Sequence, residues 1–326
     1  MVGVAEFDSC GPRLQYTSAI HGARTRQGRD DDHLPDSGVL VSEFTLIHLS
    51  DLHFGSPVDL AQIRAVERLA PELAPDAVLV SGDISQRGRH GEYQRGLAFL
   101  EGMQKTAPTL LVPGNHDVEW WKSPFGLFGR RVLYDKYQTY FGEDLTPVLR
   151  LPGLVVAGAL SAHGLAAGSM TWNQRDLTVK GHIPKSETDR LTKLFAAEPA
   201  DAAKVVVMHH NVLRGEISER MGLAHWPSAQ RRLDATGAQV VLCGHDHQEG
   251  AGQLPRGTVV STASTLSDRT RGKRPSVFNV VRLDRDAVQV EHWRWDRAAD
   301  AFRASDSHTF ARAGERHGVV GAGRDA

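Results

Sequence analysis

Short apolar, β-branched runs, each ending in a compact set of Asp, His, Asn or Gly, constrain this chain more than any other feature. The runs occupy 44–49, 77–80, 109–112, 154–160, 204–208 and 240–243. Runs of that length and composition suit buried strands joined by short polar loops. Segments with apolar residues at helical spacing separate several of them, at 59–73, 91–105 and 186–197. The first carries Ile63, Val66, Leu69, Ala70 and Leu73 on one face. Beyond residue 257 the pattern changes. Segments 258–264, 277–283 and 287–295 read as successive strands, with Asp284-Arg285-Asp286 as a turn. The expected class is α/β (α+β), an α/β core extended by antiparallel strands.

The ends of the chain read differently. Residues 1–42 lack periodic apolar patterning and include Asp30-Asp31-Asp32, and residues 312–326 resemble a flexible tail. One domain over 43–311 is therefore expected, with a disordered extension before it. A chain of 326 residues can bury roughly three quarters of its unfolded surface, enough for a core without disulfides. Thirty-eight Lys and Arg against 39 Asp and Glu give a net charge of -1. That balance argues against a nucleic-acid coat or a polybasic membrane binder. No run of 18 apolar residues or secretory signal pattern is present. Two cysteines, Cys10 and Cys243, fit a reducing compartment, so a cytoplasmic enzyme is expected. A homodimer is compatible with this composition.

The chemistry sits at the ends of the runs. The first is followed by Ser50-Asp51-Leu52-His53, the second by Ser81-Gly82-Asp83 and the third by Pro113-Gly114-Asn115-His116-Asp117. His209-His210 and Gly244-His245-Asp246-His247 follow two later runs. Ligands of α/β sheets bind beyond the carboxyl ends of strands. Five such ends would therefore converge. Asp51 with His53, and His245 with His247, are i, i+2 pairs that can face one side. Gly82, Gly114 and Gly244 allow sharp turns and close approach. Carboxylate and imidazole together suit Mn, Fe, Co or Zn rather than Ca. Seven donors exceed what one transition metal with an open site needs, and match two divalent metals sharing a carboxylate.

The ordered set Asp-X-His, Gly-Asp, Gly-Asn-His-Asp, His and Gly-His-X-His resembles the calcineurin-like metallophosphoesterase superfamily over about residues 43–295. The resemblance implies a β-sandwich flanked by helices, with a dinuclear metal site at strand ends. It implies that Asp51, His53 and His247 bind one metal, Asp83 bridges, and Asn115, His209 and His245 bind the other. The choice of His209 over His210 rests on the family pattern. His116 would be the catalytic histidine, assisting the leaving group after attack by a metal-bridged hydroxide, with Asp117 holding its ring.

The substrate is read from finer motifs. Gly82-Asp83-Ile84-Ser85-Gln86-Arg87-Gly88 and Asp117 depart from the Gly-Asp-X-Val-Asp-Arg-Gly and Gly-Asn-His-Glu of Ser/Thr protein phosphatases. His48-Leu49-Ser50-Asp51-Leu52-His53-Phe54-Gly55 is similar to bacterial class III cyclic-nucleotide phosphodiesterases. A phosphodiesterase acting on a small phosphodiester, such as a cyclic nucleotide, is expected. A nuclease, a lipid-linked pyrophosphatase and a non-catalytic scaffold are the alternatives. Arg87, Arg214, Arg269 and Arg271 are candidates for holding phosphate oxygens, because the guanidinium fork matches phosphate. Trp120, Trp121, Phe125 and Phe128 could form an apolar lid or pack a surface helix.

Overall fold

The computed structural model describes residues 44–56, 58–119, 122, 131–164 and 180–312. The extension at 1–42, the tail beyond residue 312 and the aromatic residues Trp120, Trp121, Phe125 and Phe128 lie outside the described residues.

The central strands are apolar on both faces, so both faces must be covered. In β1 (Phe44–Leu49), Leu46 faces one cluster while Ile47 and Leu49 face another. The same division runs through β2 (Ala77–Val80) and β3 (Thr109–Leu111). Parallel pairing joins β1 to β2 and β2 to β3. On the other side of β1 lie β10 (Val277–Leu283), β11 (Ala287–Asp296) and β12 (Ala301–Ala311), all antiparallel. These form one six-stranded sheet. The second sheet runs β4 (Val148–Leu151), β5 (Leu154–Gly158), β6 (Ala203–His210), β7 (Val240–Gly244), β9 (Val259–Thr262) and β8 (Gly250–Gln253). Its β5, β6, β7 and β9 are parallel neighbours.

Leu46, Leu79, Leu110, Val205, Val207, Val240 and Leu242 fill the space between the sheets. The outer face of the first sheet packs on α1 (Leu60–Leu73) and α2 (His90–Gln104), through Ile63, Val66, Leu97 and Leu100. Near them lies the short α3 (Asp135–Phe141), whose Tyr137 and Phe141 are buried. The outer face of the second sheet packs on α4 (Lys185–Ala196) and α5 (Trp226–Leu233), through Leu191, Phe195 and Leu233. The result is a helix–sheet–sheet–helix sandwich, as the family resemblance implied.

Several elements depart from the sequence reading. Strand β6 runs on through His209 and His210 instead of ending before them. The strand at 154–160 stops at Gly158. The elements α3, α5, β4, β8 and β12 were not expected. The sequence of β8, Gly-Ala-Gly-Gln, has no alternating pattern and is ordered by antiparallel pairing with β9. Likewise β12 is held by its long ladder with β11, and Phe302 is its anchor in the core.

Candidate metal centre

Three of the strand ends turn into the centre by a backbone twist that ordinary residues avoid. Asp51 (φ 53°), His53 (φ 47°), Asp83 (φ 51°), His245 (φ 74°) and His247 (φ 54°) all lie in the left-handed region, as does Gly82 (φ 91°). Asp, Asn and His tolerate that region better than other side chains, though at some strain. Two of the twisted loops brace each other: Asp51 donates its N–H to Gly82 O (3.1 Å), and His53 donates to Asp83 O (3.0 Å). Gly114 cannot carry a side chain, because a Cβ there would collide with Asp83 Oδ1. Asn115, His116 and Asp117 form the 3-10 turn that follows.

The seven sequence candidates meet at one place. His53 Nε2 lies 3.0 Å from His247 Nε2, 3.6 Å from Asp51 Oδ1 and 3.8 Å from Asp83 Oδ2. His247 Nε2 lies 3.1 Å from Asp51 Oδ1. On the other side, His209 Nε2 lies 3.4 Å from Asp83 Oδ2 and 2.9 Å from Asn115 Oδ1. His245 Nδ1 lies 2.9 Å from Asn115 Oδ1 and 3.2 Å from His209 Nε2. Donors about 2.1 Å from one ion, at right or tetrahedral angles, sit about 3.0–3.4 Å apart. Most of these separations match that spacing. Asp83 Oδ2 belongs to both groups. Among the described residues the buried Asp51 Oδ1 has no hydrogen-bond donor, as expected of an oxygen kept for a cation. The residues present therefore fit a centre for divalent metals.

Surrounding groups leave the remaining atoms little freedom. Ser50 Oγ (2.6 Å) and the His245 N–H (2.9 Å) donate to Asp51 Oδ2, turning Oδ1 inward. The His116 N–H donates to Asp83 Oδ1 (2.8 Å), turning Oδ2 inward. His209 Nδ1 donates to Ser81 O (2.8 Å) and His247 Nδ1 to Arg269 O (2.7 Å), which fixes both tautomers. Burial would raise the pKa of the Asp51 and Asp83 carboxyls, yet neighbouring imidazoles hold both well below the usual range. Burial likewise opposes charge on His209, but Asp83 outweighs it and raises the ring to about 9. Two ionised carboxylates at the buried strand ends make a strong cation-binding potential.

His209 and His210 separate by strand alternation. His209 points to Asn115, whereas His210 Nδ1 pairs with Ser161 Oγ (2.9 Å). His210 nonetheless stays within 4.8 Å reach of His209 and His245 through its ring nitrogens.

His116 stands beside the centre, its ring edge-on to His53 at 4.9 Å between centroids. Its partner differs from the expectation. Asp117 does not hold the ring; His116 Nδ1 donates instead to the backbone carbonyl of Gln86 (2.8 Å). The Asp117 carboxylate accepts from the N–H groups of Ile84, Ser85 and Gly114 and from Ser85 Oγ, tying the second and third loops together. Burial, and the charge of Asp83, push Asp117 up to about 6. Sequence reasoning missed Gln86 because a backbone carbonyl carries no residue signature. The motif comparison pointed at its position, where protein phosphatases carry the second Asp of their Gly-Asp motif.

Three of the four candidate arginines bond to neighbouring residues. Arg214 Nε donates to Glu219 O (2.9 Å) and lines a cavity of about 610 Å³ that none of the seven donors lines. Arg271 Nε donates to Asp246 O (3.1 Å). Arg269 Nη1 donates to Gln86 Oε1 (3.0 Å). Only Arg87, exposed on the loop after Asp83, has no side-chain partner among the described residues.

Comparison with known proteins shows the family of the chain. The family model described as calcineurin-like phosphoesterase matches residues 44–249. The chain is 40% identical over 246 residues to a glycerophosphodiester phosphodiesterase, GpdQ, of Enterobacter lignolyticus (strain SCF1), covering 68% of this chain and 77% of that one. Among solved structures, a dimetal phosphatase from Danio rerio superposes with a TM-score of 0.57 at 13% identity, covering 82% of this chain and 99% of that one. The purple acid phosphatase PPD1 of yellow lupin (Lupinus luteus) superposes with a TM-score of 0.58 at 14% identity, over 83% of this chain. The chain spans about half of that lupin protein, 54% of its length. The two structural likenesses concern the fold alone.

Proposed function

This chain belongs to the calcineurin-like phosphoesterase family, and from that premise we propose a metal-dependent phosphodiesterase that cleaves a small phosphodiester. The observation that carries the proposal is the pair of donor groups sharing Asp83 Oδ2, with His116 beside them. In this reading Asp51, His53 and His247 would hold one divalent ion, Asn115, His209 and His245 would hold the other, and Asp83 would serve both. Two such ions supply Lewis-acid charge for the phosphoryl oxygens and an activated water. Mn, Fe, Co and Zn all suit this donor set.

The chain's own residues do the rest. The Gln86 carbonyl can only accept, so His116 Nδ1 carries a proton, and Nε2 is the nitrogen that can protonate the leaving alkoxide when the ring holds a second proton. Asp117 shapes the turn that presents His116 rather than its ring. A glycerophosphodiester is the first substrate class to test, because the GpdQ relative carries that activity in its name. A cyclic nucleotide is the second, supported by the motif at 48–55. We place the active domain at 43–311 and the protein in the cytoplasm, the latter supported by its two cysteines. No helix among the described residues is long and apolar enough to cross a membrane.

The deciding assay is hydrolysis of bis(p-nitrophenyl) phosphate beside p-nitrophenyl phosphate, with stripped protein refilled with Mn²⁺. Faster, metal-dependent diester cleavage is expected, and a glycerophosphodiester and a 3′,5′-cyclic nucleotide are then compared. A monoester preference would overturn the proposal.

A further inference from the structure

The loop between β9 and β10 touches the centre twice. The Arg269 carbonyl accepts from His247 Nδ1 (2.7 Å), and the Arg269 guanidinium reaches across to Gln86 Oε1 (3.0 Å). The Gln86 carbonyl accepts in turn from His116 Nδ1 (2.8 Å). Gln86 is anchored at its own N–H, which donates to Phe54 O (3.2 Å), and the Arg269 N–H donates to Ser267 Oγ (3.3 Å). Two residues 183 positions apart thus join a carbonyl that orients a candidate metal ligand to a carbonyl that orients the candidate acid.

We propose that Arg269 and Gln86 are positioning residues, and that their side-chain bond holds His116 in register with the His247 side of the metal centre. This inference rests on the phosphodiesterase reading above. Proton transfer to a leaving oxygen needs the donor within about 2.6–3.2 Å of it. The support of His116 is a backbone carbonyl on the loop between β2 and α2, next to exposed Arg87. A carbonyl on a loop is a weaker fixture than a buried carboxylate. A charge-assisted bond from a guanidinium restrains that loop without placing a second anion beside Asp83.

Substitution can cut this bond while leaving both carbonyls in place. Gln86→Ala and Arg269→Ala should each lower kcat about 10-fold for diesters with alkyl leaving groups. KM and bound metal should stay near wild type in both. Cleavage of bis(p-nitrophenyl) phosphate, whose leaving group needs little protonation, should hardly change. The double variant should be no slower than either single one, because both remove one bond. Gln86→Glu, which keeps an acceptor for Arg269, should lose clearly less rate than Gln86→Ala.

A readout independent of turnover follows the His116 Nδ1–H imidazole resonance. It should exchange with solvent faster in Arg269→Ala and in Gln86→Ala than in wild type, and at the wild-type rate in Gln86→Glu. Unchanged exchange in both alanine variants would overturn the proposal. So would additive losses, or a raised KM in Arg269→Ala with Gln86→Ala neutral, which would put Arg269 on the substrate phosphate. Wild-type protein that cleaves no diester, with the resonance behaving as expected, would refute the phosphodiesterase reading and leave the tie standing.

Discussion

At the scale of single residues, the centre combines strain with tight packing. Five of the seven candidate donors sit at positive φ, and each loop has little room to relax. Gly114 shows the limit: its missing side chain is what lets Asp83 approach. Gly114→Ala should cost about 1–3 kcal/mol by overpacking and lower the metal content of the purified protein, read by elemental analysis. A variant with full metal occupancy would show that the turn can give way. His116→Ala should spare the metals, since its side chain is outside both donor groups. It should slow alkyl diesters by about 10²–10⁴-fold, the usual range for a lost acid. Full activity on such substrates would remove His116 from the assigned role. The site was legible at this scale because metal-type side chains leave a spacing signature. Gln86 was not, since its contribution is a carbonyl that any residue has.

Among elements, helices and strands differ in how well the sequence announced them. The α1 segment was visible in its spacing, and its start is marked by Asp59, whose side chain accepts from the Ala61 N–H (2.9 Å). Asp59→Ala should cost about 1 kcal/mol of stability, measured by urea unfolding; no change would mean that Gln62 or water replaces the cap. The alternation of β6 sends His209 to Asn115 and His210 to Ser161. Only the family pattern favours His209, because sequence does not show which face of a strand turns inward. Elements β8 and β12 were invisible for a related reason. Their residues are ordered by ladder partners rather than by their own patterning.

On the scale of the molecule, the centre joins the two sheets. Asp51, Asp83 and Asn115 follow strands of the first sheet, while His209, His245 and His247 belong to or follow strands of the second. Metal binding should therefore stabilise the whole sandwich, by about 2.7 kcal/mol when the free ion is at 100 times its dissociation constant. Chelation should lower the melting temperature and Mn²⁺ should restore it; an unchanged melting curve would argue against a metal shared between sheets. Beneath the centre a polar chain also crosses the interface. His48 pairs with Ser81 Oγ (3.0 Å) and Ser261 Oγ (3.3 Å), Asn279 Nδ2 donates to Ser261 Oγ (2.8 Å), and His292 Nδ1 pairs with Asn279 Oδ1 (2.7 Å). Burial lowers the pKa of His48 to about 3 and that of His292 to about 4. Each binds a proton more readily unfolded, so their contribution is complete above about pH 6.5 and fades as pH falls towards 4 and 3. Metal-free His48→Gln should lose less stability than metal-free wild type between pH 7 and pH 4, by thermal melting. Equal slopes would show that His48 takes no part.

The sequence by itself determined the buried strands, the donor types and their order at strand ends, because local composition and spacing carry those signals. It also determined a metal-type chemistry, since carboxylate and imidazole donors select cations wherever they meet. Only the tertiary structure decided that Asp83 faces both donor groups, that Asp117 braces loops instead of a ring, and that Arg269 meets Gln86. Those outcomes depend on how two twisted sheets bring distant loops together. The energies that choose among nearby acceptors act across space and leave no trace in sequence spacing.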